Sequence, residues 1–252
     1  MLEGWLARSL LADGVHLVEP NACSVAAFRG KSGVAWHPGL DALPADLEPE
    51  IVVLAVKPQT MPEVLPQLMR FSRATFLSIM AGKRIAGLSA GLGGAAVVRS
   101  MPNTPSAVSR GMTVAVAGPG VTARARARCD ALLAAVGEVA WVDDEALIDP
   151  VTAVSGGGPA YVFLLIEALA AAGEKAGLPA DLAMRLARVT VSGSGELARL
   201  SPEPAAQLRQ NVTSPGGTTL EALKVLMADD GIQPVFDRAI AAATRRAGEL
   251  GS

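Results

Sequence analysis

Apolar residues follow two rhythms along this chain, and the change from one to the other divides it. In the first half, short apolar runs alternate with amphipathic stretches. Leu2, Trp5, Leu6 and Leu10 recur at helical spacing and Asp13-Gly14 closes that helix. Residues 15–18 read as a buried strand with Glu19, Pro20 and Asn21 at its carboxyl end, and residues 23–29 as a helix. A short run at 34–36 precedes residues 51–56, apolar throughout as a strand covered on both faces should be, which stops at Lys57-Pro58-Gln59. Helical spacing over 61–71, strands at 75–79, 96–99 and 113–117, and a helix over 121–136 complete the pattern. Strands alternating with helices imply parallel crossovers and a doubly wound sheet.

Near Asp143 the strand-like runs cease and Ala-rich helical patterns take over, dividing the chain into residues 1–143 and 144–252. After Ser155-Gly156-Gly157-Gly158-Pro159, an apolar helix runs from 162 to 175 and ends at Gly177. Asp181 caps another, to about Leu200, in which Gly193 and Gly195 each cost up to about 1 kcal/mol against Ala, so close packing on another helix is expected there. Further helices span 204–212 and 232–250. This much Ala and Leu in a helical domain predicts a homodimer.

In doubly wound sheets ligands sit at the carboxyl ends of strands. That places Glu19, the Lys57-Pro58 turn and the Met80-Ala81-Gly82 turn along one edge, as a cofactor crevice. The acidic residue that holds a ribose stands about 20 residues beyond a glycine-rich turn. Counting back that far from Glu19 reaches or passes Met1. The opening helix therefore reads as the crossover of a unit whose first strand and GxGxxG-type turn are not in this chain; the plainer alternative is a terminal helix packed on the sheet.

Thr213, Ser214, Pro215, Gly216, Gly217, Thr218 and Thr219 place hydroxyls and bare amides just before the helical pattern Leu220, Leu223, Leu226. A helix start with free N–H groups and a positive dipole end is an anion site, here a carboxylate cradle. The same residues would serve as an ordinary N-cap and turn.

Composition narrows the setting. The 252 residues are 50% apolar and 18% charged, with net charge -2 and no run of Lys or Arg to track a phosphate backbone, so nucleic acid is not an expected partner. Cys23 and Cys129 lack CxxC spacing, which argues against a disulfide framework or a metal site and for a reducing compartment. The opening residues do not read as a signal peptide. The longest charge-free apolar run, 151–166, falls short of the roughly 20 residues a membrane span needs. A cytoplasmic protein, with no membrane partner, is expected.

The segments Ala55-Val56-Lys57-Pro58-Gln59, VVRSMPNTP (97–105), AVSGGGPAYVF (153–163) and NVTSPGGTT (211–219) resemble the signature blocks of the pyrroline-5-carboxylate reductases. The resemblance implies a Rossmann-like doubly wound α/β sheet with its first strand missing, followed by an all-α dimerisation domain. It implies NADPH- or NADH-dependent reduction of 1-pyrroline-5-carboxylate to L-proline, the last step of proline biosynthesis. It further implies a homodimer, often assembled into larger rings, whose helical domains interlock so that a substrate site forms beside the partner's cofactor crevice. By the same resemblance Ser214, Gly216, Gly217, Thr218 and Thr219 hold the substrate carboxylate and ring, with Thr219 bonding the ring nitrogen and Glu145 near it. Asn211, Ala55, Val56, Lys57, Pro58, Ala81 and Gly82 line the cofactor; separately, the position of Glu19 at the end of its strand suits it to accept from ribose hydroxyls and repel a 2'-phosphate, which favours NADH, although the family more often takes NADPH. Gly157 stands where the family's SGSGPAY has a second serine, so a hydroxyl contact from that loop should be missing and the loop more flexible. A catalytically impaired protein that only dimerises and carries the substrate site is the alternative.

Overall fold

The computed structural model describes residues 1–11 and 13–251. They form two compact units, Met1–Gly156 with the C-terminal stretch from Thr244, and Gly157–Ala243. The sheet-bearing unit thus runs past Asp143, where the composition changes.

Its elements are α1 (Leu2–Ala7), β1 (Val15–Val18), β2 (Val34–His37), β3 (Ile51–Leu54), α2 (Met61–Leu68), β4 (Thr75–Ser78), α3 (Ile85–Gly91), β5 (Val97–Pro102), β6 (Gly111–Ala117), α4 (Ala123–Ala134), β7 (Gly137–Val142) and α5 (Ile148–Val151). β1 and β2 pair in parallel with each other, while β3-β4-β5-β6-β7 forms a separate five-stranded sheet. Within it β5 and β6 are antiparallel and the other neighbours parallel. Among the described residues, no further strand pairs with the outer edge of β1 or with the outer edge of β3.

Period-2 alternation builds a core on each face of the larger sheet. Phe76, Val97, Val114 and Val116 join one buried cluster with Leu68, Leu88 and Leu92, while Leu77, Val98 and Ala115 join another with Cys129 and Leu133 of α4. α1 docks on the α4 side: Trp5 is buried and its Nε1–H donates to the Leu132 carbonyl at 2.7 Å.

Several local expectations change. α1 ends at Ala7, well before the Asp13-Gly14 expected to close it, because Ser9 turns left-handed at φ 53°. Residues 23–29 form hydrogen-bonded turns rather than a helix: only Val25 is buried, and Gly30 at φ 79° ends the segment. β7 was not among the expected strands, although Val139 to Val142 are all apolar; it extends the sheet beside β6. The β5–β6 connection, which includes the Pro-Asn-Thr-Pro stretch at 102–105, is too short for a crossover helix, hence the antiparallel pair.

The second unit contains α6 (Gly158–Lys175), α7 (Ala180–Leu200), α8 (Ala205–Asn211), α9 (Thr218–Leu226) and the first part of α10 (Ile232–Gly251). α6 and α7 meet over a seam of small residues, with Ala170, Ala183 and Ala187 buried and a Cβ on Gly173 falling 3.3 Å from that of Ala183. Gly177 closes α6 at φ 100°, but α7 is capped by Pro179, with Asp181 in its first turn instead of at the cap. A Cβ on Gly193 or Gly195 would meet nothing within 4 Å, so the close packing expected there is absent within one chain. The stretch Glu145–Lys175 holds an 18-residue window of mean hydropathy 1.4, long and apolar enough to cross a membrane by length and composition alone, a test the charge-free run 151–166 was too short to pass.

Candidate active site

The residues singled out in the sequence fall into two sets, one in each unit. Glu19 follows β1, Ala55 to Pro58 follow β3, and Ala81-Gly82 follows β4, all at carboxyl ends of parallel strands. Ala55, Val56, Lys57 and Ala81 are exposed. Gly82 has φ 68°, and a Cβ there would sit 3.0 Å from Leu250 Cβ and 3.1 Å from the Leu250 carbonyl oxygen, so no other residue fits the turn without displacing α10. Exposed backbone at strand ends and a carboxylate at the end of β1 fit the nicotinamide and ribose portions of a dinucleotide.

Glu145 lies in a 3-10 turn after β7, where Asp144 caps by accepting from Ala146 N–H at 2.8 Å. Its Oε1 accepts from the Arg99 guanidinium at 2.9 Å and from the Ile85 amide at 2.9 Å. Glu145 therefore caps α3, the helix that follows the Ala81-Gly82 turn and has no cap from its own preceding side chain. Arg99 on β5 is only 2% exposed, and its second nitrogen reaches Asp149 at 3.6 Å; Asp149 is also met by Arg84 at 3.4 Å. Two guanidinium and two carboxylate groups thus join β5, the start of α3 and α5. Arg99 Nε and Asp149 Oδ1 are buried without a hydrogen-bond partner. This network was missed from sequence, although an arginine inside the apolar strand Val97-Val98-Arg99 was itself a signal, since a buried charge requires a partner.

A second missed contact joins the end of β5 to the Ser155 loop. Asn103 donates from Nδ2 to Ser155 Oγ at 3.2 Å and accepts from the Met112 amide at 2.9 Å. Ser155 lies within a π-helical turn over Thr152–Gly156. With Gly157 in place of a serine the loop still holds one hydroxyl contact, through Ser155, contrary to the expectation of none.

In the helical unit, α9 begins at Thr218 with Gly217 as N-cap and no side-chain cap. Helix geometry leaves the amides of Thr218 and Thr219 without intrahelical acceptors, whereas Leu220 N–H is bonded to the Gly217 carbonyl. Gly216 is left-handed at φ 70°, and Gly217 passes so close to Ser214 that a Cβ would lie 2.5 Å from its Oγ. The neighbouring hydroxyls make no side-chain cap to this helix. A cavity of about 390 Å³ lies alongside, lined by Leu220, Leu223 and Met227 with Arg209, Gln210, Thr213 and Lys224. Asn211 is engaged locally: it donates to Glu203 at 2.9 Å and accepts from Gln207 at 2.8 Å.

Comparison with known proteins follows the same outline. Residues 145–250 match the family described as pyrroline-5-carboxylate reductase dimerisation. The chain is 44% identical to the pyrroline-5-carboxylate reductase of Synechocystis sp. over 80% of this chain and 75% of that protein. It is 40% identical to that of Pseudomonas aeruginosa over 97% and 92%, respectively. Among solved structures, a pyrroline-5-carboxylate reductase from Coxiella burnetii superposes with TM-score 0.87 at 35% identity, covering 96% of this chain and 92% of the other. Pyrroline carboxylate reductase of Plasmodium falciparum, with NADP bound, gives 0.76 at 29%, covering 94% and 87%.

Proposed function

The chain belongs to the pyrroline-5-carboxylate reductase family, and from that membership we propose how its residues carry out NAD(P)H-dependent reduction of 1-pyrroline-5-carboxylate to L-proline. The uncapped start of α9 is the observation that carries the site assignment.

A carboxylate at that start meets the amides of Thr218 and Thr219 and the positive end of the helix dipole, without a competing nucleophile. Gly216 and Gly217 keep side chains out of the approach. Thr219 is positioned to hydrogen-bond the ring nitrogen, which makes the imine carbon more electrophilic and holds the substrate for attack. The bound cofactor supplies the hydride to that carbon, and the nitrogen takes up one proton, giving the secondary amine. The strand-end residues Ala55, Val56, Lys57, Pro58, Ala81 and Gly82 hold and orient the nicotinamide end; Glu19 receives the ribose. Glu145 contributes by fixing the start of α3 and, through it, the Ala81-Gly82 turn. Asn211, between Glu203 and Gln207, keeps the end of α8 ordered ahead of the cradle, and its role toward the cofactor stays part of this reading.

The working unit is a homodimer. Phe163, Leu164, Leu165 and Leu169 on α6, with Leu182, Leu186 and Val189 on α7, are exposed in the single chain, an apolar face too large to be left in water. Covering it with a second copy also accounts for the apolar stretch Glu145–Lys175 without a membrane. Assembly of dimers into rings is a further part of the proposal, and the unpaired Cys23 and Cys129 accord with a cytoplasmic setting. The non-enzymatic alternative is not favoured, because similarity to reductases extends over most of their length.

Initial rates of cofactor oxidation with 1-pyrroline-5-carboxylate, coupled to detection of proline, test this reading. Stoichiometric proline formation supports it, and no substrate-dependent oxidation by the intact protein refutes it.

A further inference from the structure

We propose that the turn after β1 selects a dinucleotide with a free ribose 2'-hydroxyl, so that this reductase prefers NADH to NADPH, with Glu19 as the specificity-determining residue. The proposal rests on the reductase reading above and sharpens it.

Glu19 is fixed at three points. Its amide donates to the His37 carbonyl at 3.1 Å, continuing the β1–β2 ladder. Its carbonyl accepts from Trp36 Nε1 at 3.0 Å. Its carboxylate accepts from the Asn21 amide at 2.8 Å. A carboxylate locked to the backbone at the end of this strand is ready to accept from ribose hydroxyls, and it repels a phosphate placed at the 2' position.

The turn also has little to offer a phosphate. The Asn21 amide is taken by Glu19, the Cys23 amide by Asn21 Oδ1 at 3.0 Å, and the Ser24 amide by the Asn21 carbonyl at 3.0 Å. Pro20 has no N–H, so five of the six residues from Glu19 to Ser24 have no backbone donor to spare. The cations that follow are docked on aromatic faces: Arg29 lies 4.5 Å from the centre of the Trp36 ring, and Lys31 lies 5.4 Å from that of Phe28. A 2'-phosphate site needs charge-assisted donors. Here a fixed anion stands in their place.

Calorimetric titration of the intact protein with NADH and NADPH, and with 5'-AMP and adenosine 2',5'-bisphosphate as nicotinamide-free probes, reads the preference without catalysis. The expected dissociation constant for each 2'-phosphorylated ligand is at least about tenfold weaker than for its partner. Glu19→Gln keeps an oxygen for the Asn21 amide and removes the charge; it should narrow each ratio about tenfold, mainly by tightening the phosphorylated ligand, with an unchanged melting temperature. Equal or tighter NADPH binding by the wild type, or ratios unmoved in Glu19→Gln, would overturn the proposal. Reduction of pyrroline-5-carboxylate with an NADPH preference would sink this inference alone. An NADH preference without imine reduction would sink the reductase reading alone, and binding of neither cofactor would sink both.

Discussion

The two units of this chain solve the burial problem in opposite ways. In the sheet unit, Phe76, Leu77, Leu92, Val97 and Val98 are fully buried, and even a charged residue, Arg99, is enclosed with partners. In the helical unit, only Ala170, Ala183 and Ala187 are buried while Phe163 and Leu164 are 60% and 62% exposed. Periodicity in the first unit records a core the chain closes by itself. In the second it records a core that a single copy leaves open, which is where Gly193 and Gly195 find no neighbour. The same apolar count therefore closes a core in one region and leaves an exposed face in the other, which the proposed homodimer would cover.

The largest effect that would sharpen this contrast comes from Arg99. Arg99→Met strands Glu145 and Asp149 in a low-dielectric site, and urea unfolding should show a loss of about 3–5 kcal/mol that is independent of protein concentration. A change below about 1 kcal/mol would mean the network is solvated in solution. Next is Leu164→Asp on the open face of α6, which should weaken self-association about a hundredfold by sedimentation velocity, close to 3 kcal/mol. An unaltered monomer–dimer equilibrium would remove α6 from the interface.

A smaller, pH-dependent effect belongs to Cys129. Burial, aided by the negative charge of Glu50, pushes its thiol up from 9.0 to about 12. The unfolded thiol loses its proton at lower pH than the folded one, so the stability it contributes is present below pH 9 and is lost as pH rises towards 12. Cys129→Ala should flatten the alkaline fall in unfolding midpoint; an identical pH profile in the variant would count against it. Smallest is Ser155→Ala, which removes one neutral acceptor for Asn103 and should cost about 1 kcal/mol in thermal unfolding, with no measurable change refuting the contact's contribution.

Much of this arrangement was legible before any coordinates. The all-apolar run at 51–56 and the alternating elements carry a local physical signature from which the fold class followed, whereas the family came from the resemblance of four motif blocks, the hydroxyl-rich start of α9 among them. β7 escaped because its apolar run, Val139 to Val142, is short and abuts the charged Asp143-Asp144 where the composition changes, and the turns at 23–29 mimic helical spacing without enough apolar surface to fix a helix. The Arg99–Glu145–Asp149 network and the Asn103–Ser155 bond join residues 46, 65 and 52 positions apart when the Arg84 link is counted. Such pairings arise from the three-dimensional packing of β5 against the loops beyond β7, so single residues showed candidate charges but not their partners. Glu145 shows the consequence: the sequence marked it for the site, and the coordinates engage its carboxylate in capping α3.

The most direct test of the account compares turnover with cofactor binding in Thr219→Ala and Thr219→Ser. If the start of α9 holds and polarises the imine, Thr219→Ala should lower kcat for pyrroline-5-carboxylate about a hundredfold while leaving the NADH dissociation constant within about twofold, and Thr219→Ser should recover most of the loss. Wild-type kcat in Thr219→Ala would contradict the role given to the α9 cradle.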